Sequence, residues 1–132
     1  MTYDYYSPGW FKFSSHHSAL FENPHNPSTK VKKIRTVAYA ANYYIRQGAP
    51  REKILIGIPF VSKGWGCLVN AGSPQAGLYN SSNCAPQGYY DQYQEQQYWQ
   101  GINPWFYTQK LEQNASFVKF WDNYSKNSYL FS

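Results

Sequence analysis

Tyr3 and Asp4 stand near the end of a short strand-like opening, Met1 to about Tyr6, and put a phenol hydroxyl beside a carboxylate. A donor next to an acceptor suits a ligand rich in hydroxyl and amide groups, such as a carbohydrate. The plainer reading is a strand-end pair that satisfies itself and the nearby backbone. A second strand-like run ends in Ile58-Pro59-Phe60-Val61-Ser62-Lys63-Gly64-Trp65, which adds a cation and an indole. Trp10 follows the Pro8-Gly9 break and either offers its face to the C–H surface of a sugar or packs under its own loop. His16 and His17 invite a catalytic reading, yet adjacent histidines on a polar loop are more often surface residues, and surface is the expectation here.

The elements that must position these groups are few. At 132 residues the chain fits one ordinary domain, or one strand pair carrying a subdomain. Aromatic residues make up 20% of it, with 14 Tyr and 5 Trp, while 14% is charged, which points to a secreted, sugar-facing or interface-rich surface rather than a disordered tail. The net charge of +5 raises nucleic acid as a partner. Lys30, Lys32, Lys33 and Arg35 are the one dense basic run, however, and read as the solvated face of a helix, so no nucleic-acid partner is expected. No apolar stretch reaches the roughly 18 residues of a membrane span, and Met1 already sits in strand-like sequence, so neither a membrane segment nor an opening signal peptide is expected; an export signal would lie upstream. Cys67 and Cys84 lie in a stretch rich in Gly, Asn and Ser, with no His or second Cys pair to complete a zinc site. A local disulfide is expected, worth roughly 3 kcal/mol in the chain-entropy model, and it would mark an oxidising compartment; two buried thiols are the alternative. No metal and no cofactor is expected.

Met1 to about Tyr6 reads as a buried strand end, broken by Ser7-Pro8-Gly9 into a loop that runs to about Ser28. Lys30 to Gln47 reads as a helix, because Val31, Ile34, Val37, Ala38, Ala41, Tyr44 and Ile45 recur at three- and four-residue spacing. Ser28 or Thr29 is the expected cap, and Gly48 and Pro50 end the helix. Ile54-Leu55-Ile56-Gly57-Ile58 reads as a strand buried on both faces. Strands 1–6 and 54–60 are expected to lie parallel and adjacent, with the helix packed across them through Ile34, Val37, Ala41 and Ile45. From Gly64 onward short aromatic runs alternate with turns, as in an antiparallel sheet, with one short helix over Pro104–Leu111 and a solvated loop or edge strand over Gln92–Gln100. Asn80, Asn114 and Asn123 head N-x-S sequons, which matter only in a host that secretes through an endoplasmic reticulum.

The order Met1-Thr2-Tyr3-Asp4, a helix, then Ile58-Pro59-Phe60-Val61-Ser62-Lys63-Gly64-Trp65 resembles the M-x-Y-D and I-P-F-Y-G-R-G-W of family 18 glycoside hydrolases, the chitinases. Ser15-His16-His17-Ser18-Ala19-Leu20-Phe21 is similar to that family's G-H-N-A-P-L-Y loop, and Gly48-Ala49-Pro50-Arg51-Glu52-Lys53-Ile54 to its G-x-P-x-x-K-I turn. Phe120-Trp121-Asp122 and Ser128-Tyr129-Leu130-Phe131 look like the W-D and P-Y-L-Y that close its insertion domain. The resemblance implies an α/β fold: a β-α-β piece of a (β/α)8 TIM barrel over residues 1–63, and an inserted α+β domain over residues 64–132. It implies a secreted enzyme that cleaves chitin or chitooligosaccharides by a substrate-assisted, retaining route. Tyr3 would hydrogen-bond the acetamido carbonyl, Asp4 would accept from the sugar or the acetamido N–H, and Met1 would pack below the ring. Trp10 and Lys63 complete the implied substrate-binding set, and the remainder of the parent barrel is the implied partner.

Two departures qualify the implication. The D-x-x-D-x-D-x-E motif that ends in the family's acid has no counterpart among the seven carboxylates, so the chain alone is expected to be inactive. Val61-Ser62-Lys63 replaces Y-G-R, which removes a hydroxyl and the planar guanidinium fork. A non-catalytic chitin-binding lectin, or an aromatic-rich secreted module with strands 1–6 and 54–60 antiparallel, are the competing readings.

Overall fold

The computed structural model describes residues 1–31, 33–69, 75–84, 86–92 and 101–132. The expected loop or strand over Gln92–Gln100 lies, after Gln92, outside them. The ordered elements are helix α1 (Val37–Arg46), strands β1 (Val61–Lys63), β2 (Gly66–Val69), β3 (Ser81–Cys84) and β4 (Ile102–Pro104), helix α2 (Trp105–Glu112), and strands β5 (Val118–Asp122) and β6 (Asn127–Phe131). The strands pair antiparallel in three separate ribbons: β1 with β4, β2 with β3, and β5 with β6. Among the described residues, the single antiparallel sheet suggested by the aromatic runs is a set of two-stranded ribbons.

Residues 1–6 and 54–60 are neighbours but not strands. The Thr2 hydroxyl donates to the Gly57 carbonyl at 2.7 Å, and a Cβ on Gly57 would meet Tyr3 Cε1 at 3.2 Å. No main-chain hydrogen bond joins the two segments, so the expected parallel ladder is absent, and so is the antiparallel one. The expected double burial fails for the same reason: Leu55 is 90% exposed and Met1 91%. A strand buried on both faces needs a layer on each side, and the described residues supply one at most.

Helix α1 starts seven residues later than the periodicity implies. A 3-10 turn occupies Pro27–Val31, and the cap is Thr36, whose side chain accepts from the Tyr39 N–H at 3.2 Å. The N–H groups of Val37 and Ala38 donate to the carbonyls of Ala19 and Leu20, at 2.9 and 3.1 Å. Donors that a helix start leaves unpaired are thus taken up by the loop, which sets the boundary. Ile34 lies outside the helix; Val37, Ala41 and Ile45 are half-buried, and no residue of α1 is fully buried.

The long loop is held to both ends of the chain. Ser14 N–H donates to Asn80 O, Tyr79 N–H to Ser14 O and Ser82 N–H to Lys12 O, each at 2.9 Å, so residues 12–14 line the edge of β3. Cys67 and Cys84 close β2 onto β3 through the expected disulfide, with Cα atoms 5.5 Å apart. Tyr6 packs on Phe11 and Phe13 at 4.8 and 5.7 Å, and the Arg35 guanidinium lies over Tyr6 and Phe11. At the β1–β4 ribbon, Gly64 N–H donates to Gly101 O at 2.8 Å. Gly101 has φ 71°, and a Cβ there would meet Gly64 O at 2.6 Å, so only glycine fits.

Candidate functional site

Tyr3 and Asp4 from the opening segment and Ile58 through Val61 with Lys63 from the second segment line one cleft of about 270 Å³, with Ile102 of β4 beside them. That volume sits near the low end of small-molecule sites, roughly 300–1,000 Å³. The walls are mostly apolar, and Tyr3, Asp4 and Lys63 supply the polar atoms, a composition that orients a ligand by few fixed contacts.

Asp4 is held in an unusual way. Its φ is 62°, the left-handed region, which Asp tolerates better than most residues but which still stores strain. Neighbouring bonds fix the main chain on both sides: Tyr5 N–H donates to His17 O at 3.1 Å, and Ser18 Oγ donates to Thr2 O at 2.7 Å. The Asp4 side chain is 50% exposed, and its Oδ1 accepts from Lys63 Nζ at 2.7 Å. Lys63 is buried to 6% exposure and also donates to Ser7 Oγ at 3.0 Å. The lysine therefore braces the carboxylate from within while the other face of Asp4 meets solvent.

His17 lies against this pair. Its Nε2 donates to the Val61 carbonyl at 3.2 Å, and its Nδ1 sits 3.9 Å from Asp4 Oδ1. Burial, then the nearby Lys63 charge, push the ring down to about 4, against a smaller upward pull from Asp4 and the Val61 carbonyl. His16 is more deeply buried and bonds Asp122 at 3.1 Å. Neither histidine is the surface residue expected of a polar loop, because that loop is folded inward between the Asp122 hub and the cleft.

Asp122 was visible in sequence only as part of a W-D match. It is fully buried and collects hydrogen bonds from His16, from Asn23 Nδ2 at 2.9 Å, from Gln75 Nε2 at 3.0 Å and from the Tyr124 N–H at 3.0 Å. Burial alone would raise its carboxyl, but hydrogen bonds from His16, Asn23, Gln75 and Ser125 outweigh it and hold the group far below the ordinary carboxylate range. The strand period carried a signal: Phe120 and Asp122 share the inward face of β5, and an acid at an inward position needs donors.

The remaining expected site residues stay apart. Trp10 is 75% exposed, and its main-chain N–H donates to Ser7 O at 3.2 Å. Met1 does not line the cleft.

Comparison with known proteins gives this arrangement a family. The family model for glycosyl hydrolases family 18 matches residues 1–132. The chain belongs to that family. It is 41% identical over 59 residues to the oviduct-specific glycoprotein of Papio anubis, covering 45% of this chain and 8% of that protein. It is 34% identical over 77 residues to chitinase A1 of Niallia circulans, covering 57% of this chain and 11% of that protein. Among solved structures it resembles chitinase ChiA74 of Bacillus thuringiensis, with a TM-score of 0.76 and 26% identity, over 99% of this chain and 21% of that one. The chain thus spans about a tenth of those sequence relatives and a fifth of that structure.

Proposed function

We propose that this chain is the substrate-groove part of a secreted chitinase, which cleaves β-1,4-linked N-acetylglucosamine polymers with the help of the substrate's own acetamido group. One observation carries the reading: the ends of the two segments that match M-x-Y-D and I-P-F-Y-G-R-G-W line the same cleft. In this reading residues 1–63 are barrel and residues 64–132 the inserted wall, and the apolar side chains left open on Met1 and Leu55 meet the rest of the barrel.

In the substrate-assisted route the acetamido oxygen attacks the anomeric carbon while an acid protonates the leaving oxygen. Tyr3 donates its hydroxyl to the acetamido carbonyl and so fixes the attacking group. Asp4 uses the oxygen that Lys63 leaves open to accept from the acetamido N–H or a sugar hydroxyl. The acid is a glutamate outside these residues. Met1 packs below the sugar ring, and Trp10 offers its indole face to a sugar's C–H surface. Asp4 meets the substrate with the oxygen that Lys63 does not hold.

The test is Tyr3→Phe in the intact enzyme. Turnover on chitooligosaccharides should fall on the order of a hundredfold, with a much smaller change in KM, since the hydroxyl acts chiefly as the acetamido group becomes a nucleophile. A variant that keeps wild-type kcat would remove Tyr3 from the mechanism.

A chitin-binding lectin is the second reading. The Val61 side chain cannot hydrogen-bond where the family has tyrosine, and Lys63 is spent on Asp4 and Ser7. Retention of binding without hydrolysis by the intact protein would favour it.

A further inference from the structure

His17 stands where the G-H-N-A-P-L-Y loop has asparagine, and its ring is placed to act on Asp4. Because Nε2 donates to Val61 O, the neutral ring leaves Nδ1 as a lone pair. That atom is buried and has no hydrogen-bond partner among the described residues. An orphaned buried acceptor is costly. The nearest charged oxygen, Asp4 Oδ1 at 3.9 Å, can only repel it in this state.

A proton on Nδ1 reverses the sign of that contact. The ring becomes a donor 3.9 Å from the carboxylate, in competition with Lys63 Nζ for the same oxygen. The opening segment is tied down by the Thr2 hydroxyl on Gly57 O, by Ser18 Oγ on Thr2 O and by the Tyr5 N–H on His17 O, whereas the Asp4 side chain is half exposed and held at one oxygen by Lys63. The side chain is therefore the part that answers the proton. The groups that face the ring are Lys63 from β1, Asp4 from the opening segment, the Val61 carbonyl and the adjacent His16.

We propose that His17 is the positioning residue of Asp4: the neutral ring leaves the carboxylate braced on Lys63 and open to the cleft, and the protonated ring draws it off Lys63 onto Nδ1. This rests on the reading of Asp4 as a sugar-facing group. The sugar-competent geometry then belongs to neutral His17, and acid closes the site.

The experiment has two arms on the 132-residue chain. In the first, imidazole resonances of His17 are followed by NMR from pH 7 to pH 3 in the native protein, in Asp4→Asn and in Lys63→Met. The native midpoint is expected near 4, lower in Asp4→Asn and higher in Lys63→Met. A midpoint indifferent to Asp4→Asn overturns the proposal, whatever the substrate. In the second arm, chitotetraose binding is measured across the same range for the native chain and for His17→Gln, which keeps a donor for Val61 but cannot take a proton. Native affinity should therefore fall further than that of the variant as pH drops through about 4. Equal losses also overturn it. Absence of binding at every pH contradicts the chitin reading alone, and the first arm still decides the coupling.

Discussion

His16 Nε2 lies 3.1 Å from Asp122 Oδ2, although the two residues are 106 positions apart in the chain. The contact fastens the loop that carries His17 to the final ribbon, and Asn23 and Gln75 complete the shell around the same carboxylate. The core at this point is polar, and every partner depends on one charge.

Asp122→Ala should therefore cost far more than a typical core truncation. Removing one member of a buried, hydrogen-bonded charge network costs about 3–5 kcal/mol, because the donors left behind lose water and partner together. Urea unfolding followed by circular dichroism reads the loss directly. A cost under about 1 kcal/mol would mean that water replaces the carboxylate.

The two perturbed groups predict a two-step response to acid. His17 is depressed from 6.5 to about 4, so the unfolded chain takes up its proton first, and stability falls as pH drops through that window. The loss is on the order of 3 kcal/mol and is complete near the lower value. Asp122 behaves oppositely in cause: its stabilisation is fully present above its ordinary value of 3.8 and fades only as pH falls below that. Unfolding free energies at pH 7, 5 and 4 should decline steadily in the native chain and stay nearly flat in His17→Gln. Parallel declines would assign the acid sensitivity elsewhere.

Much of this was legible in sequence, and what was not has a common cause. The disulfide, the helix over Trp105–Glu112 and the turn at Gly48 follow from local signals: cysteine context, periodicity and a breaker. The start of α1 did not, because loop carbonyls of Ala19 and Leu20 take the first helix donors, a contact that no periodicity encodes. The burial of His16 and His17 was missed likewise, since their partners Asp122 and Val61 are 106 and 44 positions away. The strand reading of 54–60 identified an apolar run correctly, but a ladder needs a neighbour, and none is hydrogen-bonded there.

Reduction of Cys67–Cys84 should lower stability by about 3 kcal/mol, from the loop it closes over 17 positions. The unfolded, unreduced protein should titrate no free thiol. Thermal melts with and without reductant that coincide would show that the β2–β3 ribbon does not depend on the bond.

The most direct test of the central claim exposes the purified 132-residue chain to chitooligosaccharides, with product analysis and NMR shift mapping in one sample. No cleavage is expected, together with weak, saturable shifts centred on Tyr3, Asp4 and Lys63 and abolished by Asp4→Asn. Cleavage that survives Asp4→Asn, or binding whose shifts avoid those three residues, would contradict the account.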